Sequence, residues 1–455
     1  MLKLFLWLRY LRKKKIVLLS ITAVALSTAL LIVVSSLFIG FIDAFEQAAV
    51  EAMGDVVLAP PMKFAKYPQL IDRLEQTAAV EAAAATLSAQ GLLYLGKGNV
   101  RAVKIWGIEP AKRARVSGFK RGLRRQSKIA GEPSFEVAGE PEKVGGFVGV
   151  GVIAEPDEES DEYDFNVIEQ NMIGQDVALV TGTQVESEAG DSAADESSGG
   201  KRFRRKNIPF TIADIVFTGV YYLDKHFVYL PIDQLQGKLY PDEMWPVADQ
   251  IQIRLARGMP TDLALVQIRG VWESFAAEQL AWDSYLIRYT DIETSRKMQS
   301  LYVAELLKQM GVLLLIFGVV SLGVILLVFC ILYMIVRLKQ RDIAIIKSCG
   351  TASSSVAFIF VGLGTCVGII GSGLGVFLGY IITKNVNVIE EWISIIFGLK
   401  LWKSSVYMFS KIPNEINWDS ALVVVLAAIV AVALGALIPS VIAARTRPVE
   451  ILRYE

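Results

Sequence analysis

The chain has 455 residues, 53% of them hydrophobic, with Lys+Arg and Asp+Glu each numbering 46. A formal net charge of +0 carries no signal for a nucleic-acid or anionic partner. One histidine and three scattered cysteines exclude an HExxH metalloprotease, a zinc site and a disulfide-stapled scaffold.

The apolar residues are gathered in blocks rather than spread at core periodicity, which is membrane-protein composition. Four runs carry no charge: 16–42, 309–336, 348–383 and 420–444, of 27, 28, 36 and 25 residues. Each exceeds the roughly 20 residues that an α-helix needs to cross a bilayer. The predicted fold is a membrane protein with four transmembrane α-helices and a large α+β extracytoplasmic domain between helices 1 and 2.

In chain order, residues 1–15 are a basic cytoplasmic segment, with Arg9, Arg12, Lys13, Lys14 and Lys15 just before helix 1 at 16–42. That helix is read as an uncleaved anchor rather than a signal peptide, whose apolar region is only about 7–15 residues. Residues 43–308 form the extracytoplasmic domain. IDAFEQAAVEAMG continues the helical pattern, and YPQLIDRLEQTAAVEA reads as a helix. GLLYLGKGNVRAVKIWGIEP reads as paired strands, followed by strand-like DVALVTG, IPFTIADIVFTGVYYL, HFVYLPI and DQIQIRLA and by helical TDLALVQIRGVWESFAAEQL. His226 is expected on a strand at a sheet surface. Flexible inserts are expected near 155–164, with seven acidic residues in ten, and 185–206, which runs from acidic to basic KRFRRK. They read as solvated loops, or as docking sites for a soluble partner or lipid surface.

Helix 2 spans 309–336 and helix 3 spans 351–383. Between them, 337–350 is a short cytoplasmic loop, RLKQRDIAIIKSCG counted from Arg337, with five charges and a cluster of isoleucines. Helix 3 carries the pair Gly364 and Gly368 and the trio Gly371, Gly375 and Gly379, each set at four-residue spacing, which lets another helix approach closely or slide. An extracytoplasmic loop (384–419), helix 4 (420–444) and a cytoplasmic tail (445–455) complete the chain. Lys and Arg before helix 1, in the 337–350 loop and after helix 4 put those segments and both termini on the cytoplasmic side.

No GxxxxGK[ST] P-loop is present, so the chain does not cradle nucleotide phosphates in that way. The uncharged spans hold none of the ionisable groups that ion-coupled carriers usually place there. The energy is expected to come from another chain.

Three stretches carry a family resemblance: LRYLRKKK with ALLIVVSSLFIGFIDAFEQ, then RLKQRDIAIIKSCGTASSSVAFIFVGLGTCVGIIGSGLGVFLG, and finally VYMFSKIPNEINWDSALVVV through IPSVIAARTRPVEILRYE. They resemble the ABC-transporter permeases of the macrolide-exporter and lipoprotein-releasing superfamily, with an FtsX-like permease domain, and the last is similar to the lipoprotein-releasing branch in particular. VKIWGIEP and FTGVYYLDKHFVYLPIDQLQ resemble the family's outer domain more loosely. The chain departs from the pattern where VALSTA replaces glycines of the first helix, where CGTA stands in the loop motif, and in the acidic inserts.

The resemblance implies a non-catalytic permease subunit, in a bacterial inner membrane, that binds no cofactor. A separate ABC ATPase, two copies per complex, would hold ATP and Mg. Arg341, Asp342, Ile343, Ala344, Ile345, Lys347 and Gly350 match the loop that docks on that ATPase; the residues alone leave a plain positively charged interfacial loop equally open. The implied work is mechanotransmission, in which a lipoprotein is extracted from the membrane and passed to a periplasmic carrier. A second permease, identical or homologous, would pair with this one. Leu31, Val34, Phe38, Phe317 and Leu326 are the candidate acyl-chain path, on faces that suit bulk lipid equally well. The alternatives are a macrolide, peptide or amphiphile exporter working with a periplasmic adaptor, a signalling permease that activates a cell-wall hydrolase, and a scaffold protein outside the family.

Overall fold

The computed structural model describes residues 15–446, apart from 97, 138, 158–162, 186–201, 399–401, 404–408 and 410. The basic N-terminal segment up to 14, most of the two inserts and the tail from 447 lie outside the described residues. The chain divides into two compact units: one takes in 15–44, Leu301–Ile393 and 412–446, the other Phe45–Ser300 and Ser394–Lys411.

Helix α1 runs Lys15–Met53, continuing past the uncharged run that ends at 42 as IDAFEQAAVEAMG led us to expect, because AFEQAAVEAM contains neither Gly nor Pro and keeps a good helix former at most positions. It stops at Gly54, whose φ of +80° is left-handed and whose N–H donates to Val50 O at 2.8 Å. A Cβ there would lie 2.9 Å from Ile253 O, so glycine is required on two counts.

The outer unit is built on a nine-stranded sheet. In chain order its elements are β1 (Val56–Ala59), β2 (Phe64–Ala65), α2 (Tyr67–Glu75), β3 (Val80–Tyr94), β4 (Val100–Ile108), α3 (Pro110–Val116) and β5 (Gly145–Gly149). There follow β6 (Asp176–Val185), β7 (Arg202–Val216), α4 (Tyr221–His226), β8 (Phe227–Pro231), α5 (Ile232–Leu239), β9 (Val247–Ala248), β10 (Gln250–Leu255), α6 (Thr261–Phe275) and β11 (Asp291–Thr294). The strand order is β11-β1-β10-β3-β4-β8-β5-β7-β6, and β6 pairs again with β3, so β3 through β6 close into a ring. Strand β3 is 15 residues long because it serves two neighbours on one edge: β10 along 80–86 and β6 along 91–94. Gly91 sits where the ring closes, and a Cβ there would lie 2.7 Å from Val180 O. Leu87, Leu93, Ile105, Val148, Leu179, Ile212, Val228 and Leu230 fill the interior, while β2 and β9 form a separate two-stranded sheet.

Several expectations are corrected here. The helix at YPQLIDRLEQTAAVEA ends at Glu75, and VEAAAAT is strand. Its alanines are buried on both faces, Ala83 and Ala85 in the main core and Ala82 and Ala84 against Val116. Close approach of layers on either side overrides alanine's helical preference. His226 closes α4 rather than standing on a strand, and its Nδ1 lies 3.1 Å from Tyr222 O. The basic end of the second insert is not loop: residues 202–206 open β7 and pair with 181–185 of β6.

The other unit holds α7 (Ser300–Leu338), α8 (Gln340–Ser348), α9 (Ser353–Lys384), α10 (Val386–Phe397) and α11 (Trp418–Arg445). Helices α1, α7, α9 and α11 are each long and apolar enough to cross a membrane. Two segments expected as loops carry helices instead, α8 within 337–350 and α10 within 384–419.

Candidate functional site

The loop between the second and third spans is a short helix set into the end of the bundle. Ile343 and Ala344 are buried, Ile343 among Val336, Val356, Phe360 and Ala443. Lys347 Nζ donates to Ala444 O at 2.7 Å and Thr446 O at 2.9 Å, so a cation satisfies carbonyls at the C-terminus of α11. Lys339 pairs with Asp342 across one turn. Gly350, with φ +92°, makes the left-handed turn toward α9. What remains outward is a row at helical spacing, Arg341, Ile345 and Ser348, in which Ile345 is 47% exposed.

The matched residues therefore divide by position. Ile343, Ala344 and Lys347 build the helix into the bundle, Gly350 makes the turn after it, and Ile343, which the resemblance placed in the docking loop, is buried. Arg341, Asp342 and Ile345 are the ones on the accessible side.

The glycines of α9 lie on one face but meet two different helices. A Cβ at Gly364 would be 2.5 Å from Ala436 Cβ, and one at Gly368 would be 3.3 Å from Ile429 Cα, both on α11. Farther along, a Cβ at Gly371 would lie 2.8 Å from Val24 Cβ, at Gly375 2.8 Å from Ala25 O, and at Gly379 3.2 Å from Ile32 Cγ2, all on α1. The stripe is thus shared by α11 and α1 in succession, so α9 joins the first and last spans.

Leu31, Val34 and Phe38 on α1 and Phe317 on α7 are half-buried, whereas Leu326 is exposed. Near them, Ser27 Oγ and Ser321 Oγ share a hydrogen bond of 2.9 Å between α1 and α7. Helix α7 packs mainly through Val328, Ile331, Leu332, Ile335 and Val336, and its stretch through Val312, Leu315, Val319 and Leu322 is uncovered.

The far end of α1, from Phe45 on, belongs to the outer unit and is held inside it. Arg113, wholly buried, donates from Nη2 to Ala52 O at 2.7 Å and from Nη1 to Thr86 Oγ1 at 3.1 Å, and stacks on Trp106. Burial pushes its guanidinium down to about 10, which leaves it charged at neutral pH. Gly118 N–H donates to Glu51 O, and Arg121 pairs with the Glu51 carboxylate. Ser295, just before α7, donates through Oγ to Gly54 O at 2.6 Å and through N to Asp55 O. β1 and β11 pair directly beside this point, Val56 opposite Thr294. Sequence reasoning missed Arg113, since AKRARV offers nothing to single it out from its basic neighbours.

The FTGVYYLD stretch folds around Asp224, which accepts from Thr218 N, Thr218 Oγ1 and Gly219 N. Burial outweighs these donors and pushes the carboxyl up to about 7. Among the described residues, no three His, Cys, Asp or Glu side chains gather as a metal site.

Residues 314–448 match the family described as FtsX-like permease C-terminal. The chain is 35% identical over 122 residues to the lipoprotein-releasing system transmembrane protein LolC of Xylella fastidiosa (strain 9a5c), covering 27% of this chain and 30% of the relative. It is 29% identical over 164 residues to the corresponding LolE of Haemophilus influenzae, covering 36% of each. The chain thus spans about a third of the length of these curated relatives. Of solved structures, the periplasmic region of MacB from Actinobacillus actinomycetemcomitans aligns at 11% identity with a TM-score of 0.33, over 56% of this chain and 95% of that one. The extracellular domain of YknZ from Gram-positive bacteria aligns at 10% with a TM-score of 0.29, over 53% and 99%.

Proposed function

We propose that this chain, whose residues 314–448 are an FtsX-like permease domain, is the permease subunit of an ABC transporter that extracts lipoproteins from the bacterial inner membrane. It hydrolyses nothing itself. ATP and Mg sit on a separate ATPase, two copies of which dock beneath a pair of permeases, identical or homologous, and both termini of each permease are cytoplasmic. The observation that carries this reading is α8: its inner face is locked into the bundle by Ile343, Ala344 and Lys347, and its outer row offers Arg341 and Ile345 to a partner.

The geometry suits mechanical transmission. A push on α8 acts on the ends of α7, α9 and α11 against which it packs, and the glycine stripe of α9 carries displacement to α1. ATP drives this only by binding one arrangement of the complex more tightly than the other. The end of α1, held by Arg113 and Gly118, passes the movement to the outer unit, where a lipoprotein is handed to a periplasmic carrier. Lateral entry between α1 and α7, past Leu31, Val34, Phe38, Phe317 and Leu326, fits the uncharged character of both helices.

The test is co-purification in nanodiscs with the separate ABC ATPase of the same cells, comparing wild type with Arg341→Glu/Asp342→Arg/Ile345→Asp and measuring turnover with and without a triacylated lipoprotein. The expected result is loss of the complex in the variant and lipoprotein-dependent turnover in the wild type. An ATPase that stays bound and active on the variant refutes the docking assignment. Coupling that ignores lipoprotein and answers to an amphiphile or a cell-wall hydrolase instead refutes the cargo.

A further inference from the structure

Two residues beyond the end of α9 the chain forms α10, VNVIEEWISIIF, none of whose residues is buried. At about 100° per residue, its apolar side chains fill an uncharged arc of about 200°, and Asn387, Glu390, Glu391 and Ser394 take the opposite side. On the apolar arc Trp392 is 63% exposed, Ile395 75% and Phe397 68%. The polar side is the one fixed to protein: Asn387 Nδ2 donates to Ile412 O at 3.0 Å and its Oδ1 accepts from Ile412 N at 2.9 Å. This two-point bond holds the arc facing away from the segment that leads back into α11.

What covers the arc follows from where it is tethered. It starts just after one membrane-length helix ends at Lys384, and the chain enters the next at Trp418. Asn414 Nδ2 donates to Lys384 O, and the Tyr380 and Trp418 rings stack with centroids 6.2 Å apart, aromatic residues of the kind enriched where spans leave hydrocarbon. A wide apolar arc bearing Trp and Phe at that depth has the properties of a helix lying in the headgroup region. Within α10 the only charges are the carboxylates of Glu390 and Glu391, so the helix itself offers no cation to anionic lipid.

We infer that α10 is an interfacial anchor, with its apolar arc inserted into the zwitterionic phospholipid surface at the end of α9. Insertion places Trp392 and Ile396 about 5–10 Å into the headgroup and acyl boundary and leaves Glu391 in water. The anchor pins the connection between the last two spans at a fixed depth.

The test uses the full chain, with Cys330, Cys349 and Cys366 replaced by alanine, in phosphatidylcholine nanodiscs. Nitroxide labels are attached separately at Trp392→Cys, Ile396→Cys and Glu391→Cys, so that one poorly folding variant does not remove the measurement. The expected result is greater relaxation by oxygen than by a water-soluble nickel complex at the first two sites and the reverse at the third, unchanged when anionic lipid is added. Labels at 392 and 396 that are open to the nickel complex overturn the inference. So does shielding from both reagents with spin–spin broadening, which would put a second copy of the chain on the arc, or insertion that appears only with anionic lipid.

Discussion

Replacing Gly375 with alanine tests how tightly α9 and α1 are fitted. The added Cβ would stand 2.7 Å from Thr28 Cβ and 2.8 Å from Ala25 O, against a comfortable separation of about 3.5–4.0 Å between carbon atoms. Ala25 O is backbone and cannot rotate aside, so the helices must part by roughly 1 Å, enough to forfeit a quarter to a half of the dispersion energy of each atom pair along the seam. Overpacking of this kind costs about 1–3 kcal/mol. Gly373, two residues away on the same helix, has nothing within 4 Å of its would-be Cβ, and Gly373→Ala exchanges a weak helix former for a strong one at no steric cost. Thermal unfolding of the full chain in one detergent should place Gly375→Ala well below wild type and Gly373→Ala at or above it. Equal midpoints for the two variants would refute the packing argument, because propensity alone treats them alike.

Arg113→Met should destabilise the outer unit by about 2–4 kcal/mol, since hydrogen bonds from a charged donor to Ala52 O and Thr86 Oγ1 are lost and both acceptors stay buried. Protease resistance of the outer unit in the full chain reads this directly, and Arg113→Lys should not restore it, because one ammonium lacks the guanidinium's fork and its stacking on Trp106. For Asp224 the folded pKa, about 7, lies above its ordinary value of 3.8. The folded state therefore binds more protons than the unfolded state between those values, and stability falls as pH rises through that window and levels off above 7. The slope from this one group is at most about 1.4 kcal/mol per pH unit. Unfolding midpoints of wild type and Asp224→Asn between pH 5 and 8 should converge at low pH and diverge in the variant's favour as pH rises; parallel curves would remove the assigned cause.

The four long apolar helices were legible because each carries one long uncharged run, and nothing tertiary competes with that signal. The glycine stripe of α9 was equally plain, but not the change of partner from α11 to α1, because 3.6-residue spacing reports a face and not what meets it. In the outer unit the hairpin GLLYLGKGNVRAVKIWGIEP was readable from its glycines, whereas the alanine run of β3 mimicked a helix until layers on both its faces were known. α8 was hidden within a charged loop because its burial rests on Ile343 and Ala344 meeting residues as distant as Ala443. Arg113 was hidden more completely: its role is defined by Ala52 and Thr86, neither of which carries any pattern.

Because Ser295 bonds to Gly54 and β1 lies beside β11, the main segment of the outer unit, Phe45–Ser300, begins and ends at one spot. That segment has the topology of an insertion grafted through one short seam, and Ser394–Lys411 joins the same compact unit from later in the chain. Residues between the two ends can lengthen, shorten or change their surface with no demand on the span-to-span packing, provided that the seam is kept. Transplanting the segment Phe45–Ser300 into a similar chain thereby reduces to matching one short antiparallel ladder and the Val220–Phe409 bridge.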